Sequence, residues 1–332
     1  MLVTAVVGLL PQAGYEVLAA VSDLHWYLAY AAFWLLLAPA RSVWGQAGAA
    51  AVLALAALSD PLTGLVLPAA VVGIARAPRR PRACVAPVVM VLALALQGWV
   101  HLTRDAGYRV SATSWGELPA IYGLRVLLSA VTGDRMLGAV YTGLGMAVVV
   151  AAAAVVVVAG GALLWRARRP TRQVVAVAVG CSALYLAVAV GLRGTSGFLE
   201  RDPFALNGSR YTIVPLLLWW TAVAAALDRL RPRAAIAGAV AVFLGVQVLS
   251  DWSIAGARTT GPSWRASVAA ARESCGARVR AVQPAPLVAE ENGRDAAPIV
   301  PGPDDVTIVT APAPGPGEAL LFAVVAPCAE VS

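Results

Sequence analysis

Lysine is absent from this sequence of 332 residues, so its 25 basic residues are all arginine, and it has only two histidines and four cysteines. No CxxC, HExxH, P-loop or GxSxG spacing occurs, and no GxGxxG joins a predicted strand to a helix. These are the spacings by which zinc, nucleotide and hydrolase sites are usually recognised. Metal and nucleotide chemistry therefore have no support in the sequence.

Charged residues are also scarce, at 13% of the chain against 60% hydrophobic residues. A soluble domain of this length cannot bury so much apolar surface, which indicates a chain that mostly faces lipid. The net charge of +7 would indicate a nucleic-acid-binding protein only if the cations lined one surface. Because they stand in short clusters between apolar runs, we expect no nucleic-acid partner.

Apolar runs of nearly the ~20 residues that cross a bilayer recur along the chain. They predict an all-α polytopic membrane protein with about eight spans and a partial N-terminal one at 2–13. The predicted spans are 26–40, 44–58, 62–75, 83–100, 136–164, 173–192, 210–228 and 234–250. Since Pro61 and Pro68 interrupt the short 62–75 run, it is either a span or the second arm of a re-entrant hairpin with 44–58.

Arginine placement predicts the orientation of these spans, because loops rich in basic residues stay in the cytoplasm. One set of loops carries arginines with almost no acidic residue: Arg41, Arg76, Arg79, Arg80, Arg82, Arg166, Arg168, Arg169, Arg172, Arg229, Arg231 and Arg233. The opposite loops mix arginines with Asp and Glu. We therefore predict a multi-pass plasma-membrane protein with residues 14–25, 101–135, 193–209 and everything after 251 outside the cytoplasm.

Two segments do not fit simple spans. Residues 119–132 lie on the predicted outer side and carry a single arginine, which predicts an interfacial or re-entrant helix. Met1 is followed at once by an apolar run with no basic flank, unlike a signal peptide. We therefore expect further sequence upstream of Met1.

From about residue 256 the composition shifts to prolines, acidic residues and short strand-like runs. This shift predicts a transmembrane domain at 1–255 and a small extracytoplasmic α+β domain at 256–332. A helix is expected after Ser263, and strands are expected in VTIVTAP and ALLFAVVAP. A disulfide between Cys275 and Cys328 would stabilise such a domain by roughly 4 kcal/mol. The alternative is two free thiols.

Candidate functional residues stand at the predicted outer ends of the spans. Glu16, Asp23, His25 and Trp26 lie before and at the start of the first full span. Ionisable residues at membrane depth are costly and usually functional. The alternative is an interfacial turn, in which Asp23 caps a helix and the aromatic residues anchor it in the headgroup layer.

Two more candidates have equally local alternatives. Asp60, in Ser59-Asp60-Pro61, is either a carboxylate lining a cavity or part of an Asp-Pro turn. Arg210 and Tyr211 open the 210–228 span, and a guanidinium at an outward-facing helix N-terminus suits a phosphate. The alternative for Arg210 is a side chain that extends along the helix to the headgroups.

The runs LHWYLAYAAFWLLLAP and GSRYTIVPLLLWW, with the SDP turn, resemble actinobacterial integral membrane proteins. Those proteins are similar to polytopic glycosyltransferases of the GT-C superfamily, and the resemblance covers roughly residues 10–275. It implies a glycosyltransferase-like fold, a polyprenyl-phosphate sugar donor in the membrane lipid, and a site on the outer face. Such enzymes often hold a catalytic Asp or Glu in the first outer loop, which here would precede Met1.

Glycosyl transfer of this kind needs a carboxylate that deprotonates the acceptor hydroxyl, for which Asp23 or Glu16 is the candidate. It also needs a cation that stabilises the departing lipid phosphate, either Arg210 or a divalent metal ion. The other substrate-binding candidates are Tyr211, His25, Trp26 and Asp60. Two other functional hypotheses remain. The protein could be a transporter or flippase of lipids or solutes, or a non-catalytic envelope assembly protein.

Overall fold

The computed structural model describes two compact units of the chain, residues 1–252 and residues 253–332. Within them the described residues are 24–77, 81–103, 113–165, 167–199, 209–227, 233–251, 264–276, 305–309 and 323–327. The first unit is almost entirely helical where it is described. Glu16 and Asp23 lie outside the described residues.

The first unit contains ten described α-helices. They are α1 (Leu24–Leu37), α2 (Val43–Ser59), α3 (Pro68–Ala75), α4 (Val85–Thr103), α5 (Leu118–Tyr122), α6 (Ser129–Trp165), α7 (Arg169–Arg193), α8 (Ser196–Leu199), α9 (Ile213–Leu227) and α10 (Arg233–Asp251). Short 3₁₀ segments precede several of them, and a π-helical segment, Gly123–Leu128, joins α5 to α6. Each of the eight predicted spans therefore coincides with helical structure, within a few residues at the ends.

The core of this unit lies where α9 packs along α7 and where α1 packs against α2 and α3. Helix α1 is apolar on all sides, so it has no polar face to turn toward water. Phe33, Leu36, Leu53 and Leu186 are among the largest side chains that are fully buried there. The helix faces that form the core are therefore no more apolar than the outer faces, and the sequence could not identify them by polarity.

Helices α2 and α3 are the two arms of a broken pair. Ser42 caps the start of α2 by accepting a hydrogen bond from the Gly45 amide at 3.0 Å. The second arm begins with the 3₁₀ segment Pro61–Val66 and continues as α3 after Leu67. The predicted interruptions at Pro61 and Pro68 are both present, because proline lacks the amide that a continuous helix would use.

Helix α3 crosses α1 at unusually close range. Gly73 makes this possible, because a Cβ at this position would overlap the backbone carbonyl of Leu36. The side-chain hydrogen of glycine leaves room for the two backbones to approach. The close crossing fixes α3 beside the middle of the core.

Helix α6 is not a straight rod. Its backbone breaks at Gly133 and Gly145, where φ is 72° and 76°. These values lie in a region that L-residues with a side chain rarely adopt, so glycine is required at both breaks. Immediately before α6, every residue of the π-helical segment is buried. The middle of the predicted helix at 119–132 is therefore packed inside the protein, whereas Val131 is exposed. Its interfacial and re-entrant forms both stay predictions.

Among the described residues, three helices are long and apolar enough to cross a membrane, judged by length and composition alone: Arg82–Thr103, Met136–Ala162 and Arg169–Arg193. The other apolar helices are shorter. Large apolar side chains such as Leu92 and Val158 are exposed on the long helices. Exposed apolar surface on this scale is costly in water and ordinary in lipid.

Of the second unit, the structure describes one helix and two strands. Helix α11 (Trp264–Gly276) packs against β1 (Asp305–Val309), and β1 pairs with β2 (Ala323–Pro327). The strands are antiparallel, with Val306 opposite Ala326. Both strands fall within or overlap the runs that were predicted as strands. Cys328 lies outside the described residues and the side chain of Cys275 is not described, so their disulfide stays a prediction.

Candidate functional site

Asp60 is a buried carboxylate, 8% exposed, at the end of α2. Its Oδ1 accepts a hydrogen bond from the Leu62 amide at 2.9 Å, which is the local turn contact expected of an Asp-Pro sequence. Its Oδ2 accepts a hydrogen bond from the hydroxyl of Tyr185 in α7 at 3.2 Å. The local turn accounts for the hydrogen bond to one carboxylate oxygen. The donor to the other oxygen comes from a distant part of the chain.

Three aromatic side chains connect this carboxylate to the neighbouring helices. The ring of Trp26 lies 6.2 Å from that of Tyr185 and 5.6 Å from that of Tyr211, in edge-on geometry in both cases. The ring of His25 lies 4.2 Å from that of its neighbour Trp26, with the two rings tilted by 44°. We call Trp26, Tyr185 and Tyr211 the aromatic cluster. It joins α1, α7 and the turn that precedes α9.

A guanidinium stands at the far end of the aromatic cluster. The Cζ atom of Arg193 lies 4.8 Å from the centroid of the Tyr211 ring, a cation–π contact. Tyr185 and Arg193 both belong to α7, and a rise of roughly 1.5 Å per residue separates them by about 12 Å along its axis. A carboxylate and a guanidinium therefore stand at the two ends of one series of contacts. It runs from Asp60 through the aromatic cluster to Arg193.

A second polar network lies one helical turn from Tyr185. The Tyr122 hydroxyl donates to Ser182 Oγ at 3.1 Å, and Ser182 Oγ donates to the Pro215 carbonyl at 2.9 Å. The hydroxyl of Tyr30 on α1 lies 2.6 Å from that of Thr221 on α9. These bonds tie α1, α5 and α7 to α9, and so they hold the helices that carry the aromatic cluster.

Arg125, in the π-helical segment, is only 1% exposed. Its Nε donates to the Phe198 carbonyl at 2.7 Å, while the Tyr141 hydroxyl donates to the next carbonyl, of Leu199, at 3.2 Å. The two side chains anchor the end of α8. π-Helical segments occur often at functional sites, and here one carries the buried Arg125 side chain that donates to the Phe198 carbonyl.

The structure brings together four of the predicted site residues: His25, Trp26, Asp60 and Tyr211. The side chain of Arg210, like Glu16 and Asp23, lies outside what the structure describes, so its predicted role is untested. Sequence reasoning did not single out Tyr185, and it counted Arg193 only among the polar residues at the outer ends of the spans. A lone tyrosine in the apolar run of α7 was the available signal for the first.

Among the described residues, no group of three or more His, Cys, Asp or Glu side chains lies close enough to hold a metal ion. The described chemistry of the site is therefore one carboxylate, one phenol that donates to it, and one guanidinium. A carboxylate of this kind can accept a hydrogen bond from a substrate hydroxyl, and a guanidinium can pair with an anion.

Comparison of the chain with protein-family models, curated proteins and solved structures finds no match.

Proposed function

We propose that the first unit is a multi-pass domain of the plasma membrane, with about eight spans and a partial N-terminal one. Exposed tryptophans support this placement. Trp44 and Trp165, which are 87% and 83% exposed, lie beside the arginine-rich loops, and Trp99, 68% exposed, lies near the opposite end of α4. Tryptophan is enriched at both membrane interfaces, whereas arginine-rich loops mark the cytoplasmic one.

The same placement puts the second unit outside the cytoplasm, where we propose a small α+β domain with a disulfide between Cys275 and Cys328. The described helix and strand pair support this fold class. An oxidising compartment favours the bond. A domain of this size has a small core and gains most from such a cross-link.

Asp60 then lies inside the membrane, below the outer boundary. The 17 residues of α2 rise about 25 Å from the arginine-rich side to Asp60. The distance from Arg169 to Tyr185 along α7 is about 24 Å by the same rise. Both values fall short of a hydrocarbon core of about 30 Å. With the starts of both helices placed at the cytoplasmic boundary, these lengths support a similar depth for Asp60 and Tyr185 and a position of Arg193 at the outer interface.

We propose that this site belongs to a GT-C-like glycosyltransferase that uses a polyprenyl-phosphate-linked sugar on the outer face. The observation that carries the proposal is that Asp60, which accepts a hydrogen bond from Tyr185, lies at one end of the aromatic cluster and Arg193 lies at the other. In this arrangement Arg193 and Arg210 stabilise the lipid phosphate as it leaves. Asp60 accepts a hydrogen bond from a substrate hydroxyl, and Asp23 or Glu16 remains the predicted base.

A transporter or flippase is the second candidate, and the depth of Asp60 is the observation that favours it. Transporters place ionisable residues within the membrane at breaks in discontinuous helices. The break between α2 and α3 is of this type. Arg193 at the interface and the position of the other candidates near the outer face favour the transferase.

The test uses the full-length protein in proteoliposomes with polyprenyl-phosphate-linked ¹⁴C-hexose or ¹⁴C-pentose. A water-soluble glycan acceptor with free hydroxyl groups is supplied on the outer side. The measurement is transfer of label from the lipid phase to that acceptor, which leaves the polyprenyl phosphate in the membrane. Asp60→Asn should slow transfer about ten- to a hundredfold, since a charge-assisted contact is lost. Glu117→Gln, at an exposed carboxylate on the same side, is the matched control and should leave the rate unchanged.

Each outcome decides between the candidates. Wild-type transfer that depends on Asp60 supports the transferase. If no donor is consumed but labelled lipid crosses the bilayer in an Asp60-dependent way, the protein is a transporter. If Asp60→Asn and Glu117→Gln behave alike in both assays, the site described above is not the functional one.

A further inference from the structure

Four exposed arginines lie around the start of α7, at the opposite end of that helix from Arg193. They are Arg76, Arg168, Arg169 and Arg172. We call them the arginine cluster. Arg76 comes from the end of α3, and the other three come from the turn and first residues of α7. Two separate parts of the chain therefore contribute charge to one surface.

Two of these guanidinium groups are held in place by neutral acceptors. Arg172 donates through Nε to the Ala167 carbonyl at 2.7 Å and through Nη2 to the Trp165 carbonyl at 2.6 Å. Arg76 donates through Nη2 to the Pro170 carbonyl and through Nε to Gln173 Oε1 at 3.4 Å. These contacts orient the groups without neutralising them, because none of the acceptors is charged.

The cluster has no carboxylate partner within the part of the chain that the structure describes. Its four positive charges also stand at the N-terminal end of a helix of 25 residues, whose dipole adds positive potential there. An anion is the complementary partner. Arginine binds phosphate oxygens well, since its planar fork donates two parallel hydrogen bonds.

Apolar surface beside the cluster distinguishes a lipid from a soluble anion. The Trp165 side chain is almost fully exposed next to Arg168, and Val71 is exposed on α3 before Arg76. Such side chains are suited to acyl chains immediately above a headgroup. A free phosphate ion would contact the guanidinium groups alone.

We propose that the arginine cluster binds the phosphate of an anionic phospholipid in the cytoplasmic leaflet and thereby links α3 to α7. The inference rests on the membrane placement proposed above, but not on the transferase activity. Basic pockets between membrane helices on this side bind anionic headgroups in the same way. Arg76 of α3 already donates hydrogen bonds to α7, and the bound phosphate would add a second connection between the two helices.

The test compares two double variants of the full-length protein. Arg168→Gln/Arg169→Gln removes two exposed cluster charges that the structure shows in no hydrogen bond with a described residue. Arg41→Gln/Arg82→Gln removes two exposed charges from the same predicted side, outside the cluster. The measurement is the rise in melting temperature when phosphatidylglycerol, rather than phosphatidylcholine, is added in neutral detergent.

We expect phosphatidylglycerol to raise the melting temperature of the wild type and of the Arg41/Arg82 control equally. The rise should fall by at least half in the Arg168/Arg169 variant, while inorganic phosphate should produce no comparable rise in any of them. Equal loss in both variants would show that the arginines act only as diffuse charge, and that result overturns the site. An equal response to inorganic phosphate overturns the lipid as the ligand.

A separate measurement distinguishes failure of this site from failure of the membrane placement. Alkaline carbonate should leave the chain in the membrane pellet. If it releases the chain, the placement is wrong and the lipid site falls with it. If the chain stays in the pellet and the wild type shows no phosphatidylglycerol response, only the lipid site is wrong.

Discussion

The hydroxyl of Tyr185 donates a hydrogen bond to Oδ2 of Asp60, although the two residues are 125 positions apart in the chain. This bond joins the middle of α7 to the break between α2 and α3. It also brings Asp60 to the aromatic cluster, because the Tyr185 ring lies edge-on to that of Trp26. One contact therefore connects the core of the first unit to its candidate site.

Tyr185→Phe should destabilise the protein by about 1–3 kcal/mol, because a buried carboxylate oxygen loses its donor. The measurement is thermal or denaturant unfolding of the purified protein in detergent. Tyr27→Phe is the control, since Tyr27 is half-buried on α1 and has no described hydrogen bond. Combined with Asp60→Asn, the Tyr185 change should cost less than it does alone. Additive costs would show that the two side chains do not interact.

Gly73→Ala should destabilise the first unit by roughly 1–3 kcal/mol or more, because the added methyl group overlaps the Leu36 carbonyl and forces α3 away from α1. Gly98→Ala in α4 is a matched control, since a Cβ there meets nothing within 4 Å. Alanine in that helix should be neutral or stabilise it by about 0.5–1 kcal/mol. Melting temperatures measured in the same detergent test both. Similar melting temperatures for the two variants would mean that α1 and α3 do not cross closely.

Arg125→Met should cost about 1–3 kcal/mol, because the buried carbonyl of Phe198 loses its donor. It should also increase protease cleavage near α8. Arg172→Met also removes an arginine that donates to two carbonyls, but at an exposed position. Its cost in lipid-free detergent should be near 1 kcal/mol. If the two arginines cost the same, burial of Arg125 does not matter to the fold.

Orientation can be tested by labelling single cysteines in intact cells with a reagent that does not cross membranes. A cysteine at Glu117 or Gly293 should react from outside, whereas one at Arg169 should react only after the membrane is opened. Glu117 and Arg169 are both exposed, so differences in accessibility within the protein do not explain the result. Labelling of the Arg169 position in intact cells contradicts the predicted orientation.

Local features of the sequence predicted most helix and strand positions. Apolar runs, arginine clusters and prolines act on their immediate neighbourhood, so the ends of α2, α4 and α7 lie close to the predicted ends. Local features did not predict the π-helical form of residues 123–128 or their burial. Their burial depends on α6 and α9 covering them, and nothing in the run GLRVLL specifies that cover.

The sequence by itself determined that the chain is mostly apolar helix, where those helices lie, and that His25, Trp26, Asp60 and Tyr211 were candidates. Only the tertiary structure decided that these four residues meet, and that Tyr185 and Arg193 join them. The physical reason is that a helix with apolar residues on every side has no difference in polarity between its faces, so its sequence does not show which face packs inward. Packing of α1, α2, α7 and α9 against one another selects those faces, and with them the partners of each polar side chain.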